Sequence, residues 1–378
     1  MTPSVSFHGP TANVFTVAFS AHNRYLFAGD TDDKIYKYDL SELPGLCSTK
    51  SGFTEPCIRQ DSLRSVSCHP WQDEVFLSAS EDGTVVLHDG RDNRSLTRAA
   101  ATLLNDSEFS DVKWHPGMEH IFATGDTRGR VCLRDTRMAF GPLSQRHKNG
   151  IVYTYNTTVA KGNRCSRPEV GSIAFDSEGK RDLLALPGKS TVHLPNETHA
   201  FSQHYLPTMY SVTDENPIAI CSSTVTPEQQ RTTPDTRTYE NSCTIKHASF
   251  GNMGTRGDNY YATGSDDFRA YAWKIPEVVQ LHHMREEIKF EHWEMQSGDH
   301  PPAFADYASK NIYIPAELSS PFTRLCGHKS IVNSAVIHPQ MPVVLTAGIE
   351  RDIILHSATS TSPSFEDLDE TDTFVRPL

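Results

Sequence analysis

An all-β fold assembled from repeated short sheets is what this sequence predicts, and three observations predict it. A hairpin motif recurs five times, a short alternating strand precedes each copy, and the first copies follow one another at a nearly constant interval. The clearest copy runs from Ala262 to Lys274. It holds a strand of small residues, a polar turn at Asp266-Asp267, and a return strand in which Tyr271 and Trp273 share one face of a period-2 pattern. Small residues before the turn let neighbouring backbones approach closely.

The other copies are Leu26 to Asp39, Leu77 to Asp89, Ala123 to Asp135 and Leu345 to His356. Six positions before the residue equivalent to Trp273 stands an acid in four of the five copies: Asp32, Asp82, Asp267 and Glu350, with Arg128 the exception. That position fixes the register of the repeat. The preceding strands are Val14 to Ser20, Ser65 to His69, Ser110 to His115, Thr244 to Phe250 and Ile331 to His338. Three end in His-Pro, at His69-Pro70, His115-Pro116 and His338-Pro339, where proline stops the strand and turns the chain. A worn sixth copy runs through Val170 to Phe175, Asp182 to Leu186, Met209 to Val212 and Ile218 to Ser222.

The spacing approaches the ~40–45 residues of a WD40 propeller blade. A blade cannot bury both faces of its sheet alone and stacks against neighbours, so the repeat predicts one WD40 β-propeller domain over 8–357. Six blades are recognisable, and nothing before His8 supplies a complete earlier one, so either the ring has six full blades plus fragments or a first blade is missing or degenerate. Residues 1–40 form the first recognisable blade, and 41–60 read as a connecting loop and an outer strand. Blades two and three follow from 61 to 137. Insertions are expected near 138–169, 224–241 and 276–321. In the last of these an outer strand plus an exposed insertion competes with a helix over Glu277 to Met295. Residues 358–378, with the run Phe365 to Asp372, read as an acidic disordered tail.

A formal net charge of −12 argues against nucleic-acid binding as the main function, since phosphate neutralisation needs clustered Lys and Arg. Eight scattered cysteines without a C-x-x-C pair read as free thiols in a reducing compartment. No stretch reaches the ~18 apolar residues of a membrane span, and no leader-like N-terminus is present. A nuclear or cytoplasmic location is expected, with no membrane partner and no direct nucleic-acid partner.

Catalytic chemistry finds little support. Gly188-Lys189-Ser190 suggests a phosphate loop, but the pattern needs glycine where Leu183 stands. Eighteen histidines suggest metal binding, yet His69, His115 and His338 occupy one repeat position, and His88 and His356 fall where Trp273 stood. Neither G-x-S-x-G nor H-E-x-x-H occurs. The expectation is therefore a non-enzyme with no cofactor and no metal. The repeated acids read as turn formers.

Two successive copies end in Asp-x-Arg: Asp89-Gly90-Arg91 and Asp135-Thr136-Arg137. A strand-end Asp can orient such an Arg, whose planar guanidinium then presents several donors at the edge of the sheets. An intrablade salt bridge is the plainer alternative; the duplication favours protein interaction.

These endings resemble the W-D-x-R box of WD40 substrate receptors for cullin-RING ubiquitin ligases, the DCAF-type proteins that dock on the large propeller adaptor of cullin-4 ligases. Gly264 to Phe268 running to Pro276, Asn241 to Lys246, and Gly327 to Asn333 resemble blades of one DCAF subgroup. The resemblance implies a seven-bladed propeller that binds the adaptor through Arg91 and Arg137, supported by Asp89 and Asp135, and recruits a protein substrate. His88 and Arg134 stand where the family has Trp. A general scaffold without a ubiquitin link is the competing expectation.

Overall fold

The computed structural model describes residues 7–32, 34–41, 61–91, 98–161, 164–176, 183–186, 188–189, 206–233, 236–253, 259–293 and 302–357. The acidic tail anticipated at 358–378 lies outside them. The chain divides into two compact units, Met1–Thr127 with Val131–Thr154, and Arg128–Arg130 with Tyr155–Leu378. Among the described residues there are seven sheets of three to five strands, numbered here in chain order.

Three sheets belong to the first unit. The first is Val14–Phe19, Tyr25–Asp30 and Ile35–Asp39; the second Leu63–Cys68, Val75–Ser80, Thr84–Asp89 and Thr102–Leu104; the third Phe109–Trp114, Ile121–Asp126, Val131–Asp135 and Ile151–Tyr155. Each is an antiparallel meander in which the middle strands are almost wholly buried. In all three the first strand carries a register shift one or two residues in, at Val14/Thr16, Leu63/Ser65 and Phe109/Asp111. The same bulge at the same place shows that the repeat is structural as well as sequential.

Two of the four register acids form the turn as the repeat implies, while Glu350 instead accepts the Lys329 N–H and lies 3.3 Å from His328 Nδ1. Asp82 accepts the Thr84 N–H through Oδ1 at 2.9 Å, and Asp267 accepts the Arg269 N–H at 3.3 Å. In the first copy Asp30, two residues earlier than the register acid Asp32, receives the N–H groups of Asp32 and Lys34 at 3.1 and 3.0 Å. The His-Pro histidines cap the following bend: His69, His115 and His338 each accept, at Nδ1, the N–H two residues on, at 3.1, 3.1 and 3.0 Å.

The second unit holds the other four sheets. The worn copy forms the fifth: Ala174–Phe175, Leu183–Leu186, Thr208–Ser211 and Ala219–Cys221 pair in that order, and Ala316–Leu318 adds a parallel edge strand. The sixth comprises Ser249–Gly251, Tyr260–Gly264, Ala270–Lys274 and Thr323–Leu325, and the seventh Val332–Ile337, Val343–Gly348 and Ile353–Ser357. Close backbone approach between these two is visible at Gly264, where a Cβ would lie 2.2 Å from the Val332 carbonyl oxygen. Lys246 is fully buried and meets Asp266 at 2.5 Å, beside the sixth sheet's hairpin turn.

Sequence spacing concealed the fourth sheet. It draws Val159–Lys161 and Arg164–Ser166 from one stretch and Glu286–Lys289, Ala303–Asp306 and Asn311–Ile314 from another, with Val159 opposite Phe304. These residues lie in the stretches expected to be insertions near 138–169 and 276–321. The expectation of a missing or degenerate first blade is thus not confirmed: the sheet that brings the six recognised copies to seven is this fourth one, in mid-chain. Within 276–321, Val278–Met284 is a short helix with Leu281 buried, and strands follow it.

Candidate protein-interaction site

Asp89 and Asp135 are the last residues of equivalent strands, paired with Val75 and Ile121 at the start of the preceding strands. The second and third sheets are direct neighbours. Trp114 donates its N–H to Ser67 Oγ at 2.7 Å, Ser65 Oγ donates to the Val112 carbonyl at 3.2 Å, and the rings of His69 and Trp114 meet edge to face at 4.6 Å. Both Asp-x-Arg endings therefore sit on the same edge of adjacent sheets.

The two endings fold alike. Arg91 gives its backbone N–H to Asp89 Oδ1 at 3.1 Å, its Nε–H to Oδ1 at 2.9 Å and an Nη2–H to Oδ2 at 2.6 Å. Arg137 repeats the pattern on Asp135 at 2.9, 3.1 and 2.6 Å. Asp135 is also the N-cap of the single-turn helix Thr136–Ala139. A carboxylate that takes a backbone N–H and a two-pronged guanidinium together holds the arginine plane in one orientation. The donated hydrogen bonds of Arg91 and Arg137 hold the Asp89 and Asp135 carboxyls below the usual carboxylate range, and the carboxylates raise the arginines in return. Arg91 is 51% exposed and Arg137 68%, so the clamped groups face solvent. In each, Nη1 takes no part in the clamp.

The first sheet lacks the arginine. There Asp39 Oδ1 receives the N–H and hydroxyl of Ser41, so the turn persists without a guanidinium. Among the described strand ends only the second and third sheets carry the clamp.

The residues that replace Trp fill structural roles. His88 stacks on Phe76 at 4.3 Å and bonds Ser78 Oγ through Nε2 at 2.8 Å. Arg134, 4% exposed, donates to Thr124 Oγ1 at 2.9 Å and to the Asn149 carbonyl at 2.7 Å. An incomplete box is therefore compatible with the strand end that supports the Asp and Arg.

Side chains near the clamp that the sequence did not single out are Trp71, Gln72 and Glu119. Gln72 Nε2 approaches Glu119 Oε1 at 3.4 Å and links the two sheets at this edge, and Glu119 adds negative charge close to Arg91. Their signal was available: Trp71 and Gln72 follow directly on a His-Pro strand stop.

Elsewhere, Gly188–Lys189 is a strand paired with Glu169–Val170, a setting unlike the loop-to-helix junction of a phosphate loop. Among the described residues no three His, Cys, Asp or Glu side chains gather as a metal site.

Seven blade-sized sheets, the repeated hairpin and these strand ends define an all-β WD40-repeat protein, a β-propeller with seven blades. The WD domain, G-beta repeat family matches residues 1–39. Over 358 residues the chain is 25% identical to the mouse and human proteins called DDB1- and CUL4-associated factor 5, a span that covers 95% of this chain and 29% of each relative. It thus spans less than a third of their length. The Xenopus laevis methylosome protein WDR77 is 28% identical over 163 residues, 43% of this chain and 45% of that protein. A Candida glabrata histone acetyltransferase type B subunit 2 is 27% identical over 134 residues, 35% of this chain and 30% of its own.

Proposed function

We propose that this WD40 protein is the substrate receptor of a cullin-RING ubiquitin ligase, working in the nucleus or cytoplasm. Arg91 and Arg137, held by Asp89 and Asp135, dock it on the DDB1-type propeller adaptor of a cullin-4 ligase, and other loops select the protein to be ubiquitinated. The observation that carries this is the duplicated clamp. Two arginines on adjacent sheets are fixed in one orientation yet left open to solvent, which suits a partner better than internal bracing. The likeness to DDB1- and CUL4-associated factor 5 across 95% of the chain supports it.

Co-purification from cells tests the proposal. The Arg91→Ala, Arg137→Ala double variant is expected to lose roughly ten- to hundredfold of adaptor and cullin recovery, the usual consequence of removing charge-assisted contacts. Equal recovery of both by variant and wild type would count decisively against it.

A second function class is a scaffold with no ubiquitin link. It is favoured by the partial matches to a methylosome protein and to a histone acetyltransferase subunit. On this reading pull-downs yield a stable assembly in which neither adaptor nor cullin appears.

A further inference from the structure

Four tryptophans occur in the chain, and three are core residues: Trp114, Trp273 and Trp293 are at most 8% exposed. Trp71 is 49% exposed. It sits in the bend after Leu63–Cys68, where its N–H is held by His69 Nδ1 at 3.1 Å and its ring packs edge to face on His69 at 5.8 Å. The bend does not need an indole. In the third sheet Gly117 makes the same N–H bond to His115, and in the seventh Gln340 makes it to His338. The side chain of Trp71 is thus surplus to the turn and exposed at an energetic cost, while its backbone is fixed.

Its position is specific. The bend closes onto the clamp, because Gly90, between Asp89 and Arg91, donates its N–H to the Glu74 carbonyl at 3.0 Å and Val75 pairs with Asp89. Trp71, Arg91 and Arg137 therefore share one edge of the second and third sheets. Fixed Trp and Arg side chains with one end open are what dominates binding energy at protein interfaces.

Resting on the proposed docking role of that edge, we infer that Trp71 is the apolar anchor of the same surface. It fits a partner protein that offers an apolar pocket for the indole, flanked by carbonyl or carboxylate oxygens that accept the arginine N–H groups outside the clamps. A guanidinium has five N–H donors and each clamp uses two, so acceptors are what complements this edge.

The full chain, as wild type, Trp71→Ala, Trp71→Glu and the Arg91→Ala, Arg137→Ala variant, is titrated against purified adaptor, with thermal unfolding recorded for each. Trp71→Ala is expected to weaken binding at least tenfold and Trp71→Glu further, with unfolding midpoints at the wild-type value. Unchanged binding by both Trp71 variants, with loss in the arginine variant, overturns the anchor and leaves the docking role standing. Unchanged binding by the arginine variant overturns the shared surface whatever Trp71 does. Wild type that does not bind adaptor overturns the docking role and the anchor with it. Should Trp71→Ala shift the unfolding midpoint, Trp71→Gln, which matches Gln340 in the equivalent bend, supplies the comparison, and retained affinity there overturns the anchor.

Discussion

At the scale of single residues, substitutions within the repeat change chemistry while keeping geometry. His356 stands where the sixth sheet has Trp273, and its Nε2 shares the Thr346 hydroxyl with His328 Nε2, both at 2.8 Å. Glu350 faces the other side of His328, with Oε2 3.3 Å from Nδ1. Burial, with the neighbouring His328, pushes His356 down to about 4 from 6.5. The unfolded chain therefore takes up its proton first as the pH falls. Stability from this group is complete above pH ~6.5 and is lost toward pH 4, on the order of 3 kcal/mol in all. Urea midpoints between pH 7 and 4.5 should fall more steeply for wild type than for His356→Phe, and parallel profiles would refute the assignment. The Asp-x-Arg pairs were legible at this scale because residue type and spacing suffice to set a local turn. For Trp71 only its place after the His-Pro strand stop was legible; its exposure follows from packing, which no pattern of spacing encodes.

At the scale of elements, the hairpins were the most legible feature. Small residue, turn acid and return aromatic recur at fixed intervals, and each has a local cause. What the repeat could not reveal is which glycine is indispensable. Gly264 lies against the Val332 carbonyl oxygen, whereas Ala79 and Ala347 occupy the equivalent place in the second and seventh sheets. The requirement varies with the sheet pair: at the equivalent Gly29 a Cβ would meet the Leu63 side chain of the next sheet, 2.1 Å away, where at Gly264 it meets backbone. Gly264→Ala should cost about 2–3 kcal/mol, because backbone has to move, while Gly90→Ala, whose new Cβ meets only the carboxylate end of the Glu74 side chain, itself paired with Lys37, should cost clearly less. Denaturant midpoints of the two variants decide this, and equal values would show that the sixth and seventh sheets give way easily. The helix Val278–Met284 is weakly signalled in the sequence, since its loose apolar spacing also suits an outer strand with an exposed insertion.

At the scale of the whole molecule, sheets made from neighbouring segments were legible and sheets made from distant ones were not. The fourth sheet joins residues 159–166 to 286–314, and no local signal marks two short runs so far apart as partners. The pairing is open to a direct check. With Cys165 and Cys243 changed to Ser, a Val159→Cys, Phe304→Cys chain should form a disulfide on mild oxidation and gain about 2–4 kcal/mol, since directly opposed strand residues fall within disulfide reach. Val159→Cys with Asp306→Cys, two residues off register, should not cross-link, and equal yields from the two pairs would refute the register. The candidate site depends on none of this, because both clamps lie in consecutive sheets of the first unit.

The parallel edge strand Ala316–Leu318 also sets a timetable for synthesis. Its partner Ala219–Cys221 leaves the ribosome roughly a hundred residues earlier, so at ~5–20 residues per second that edge waits on the order of five to twenty seconds for its completing strand. For that interval the nascent chain displays an unpaired row of amides and carbonyls, and a chaperone has a defined window in which to shield it.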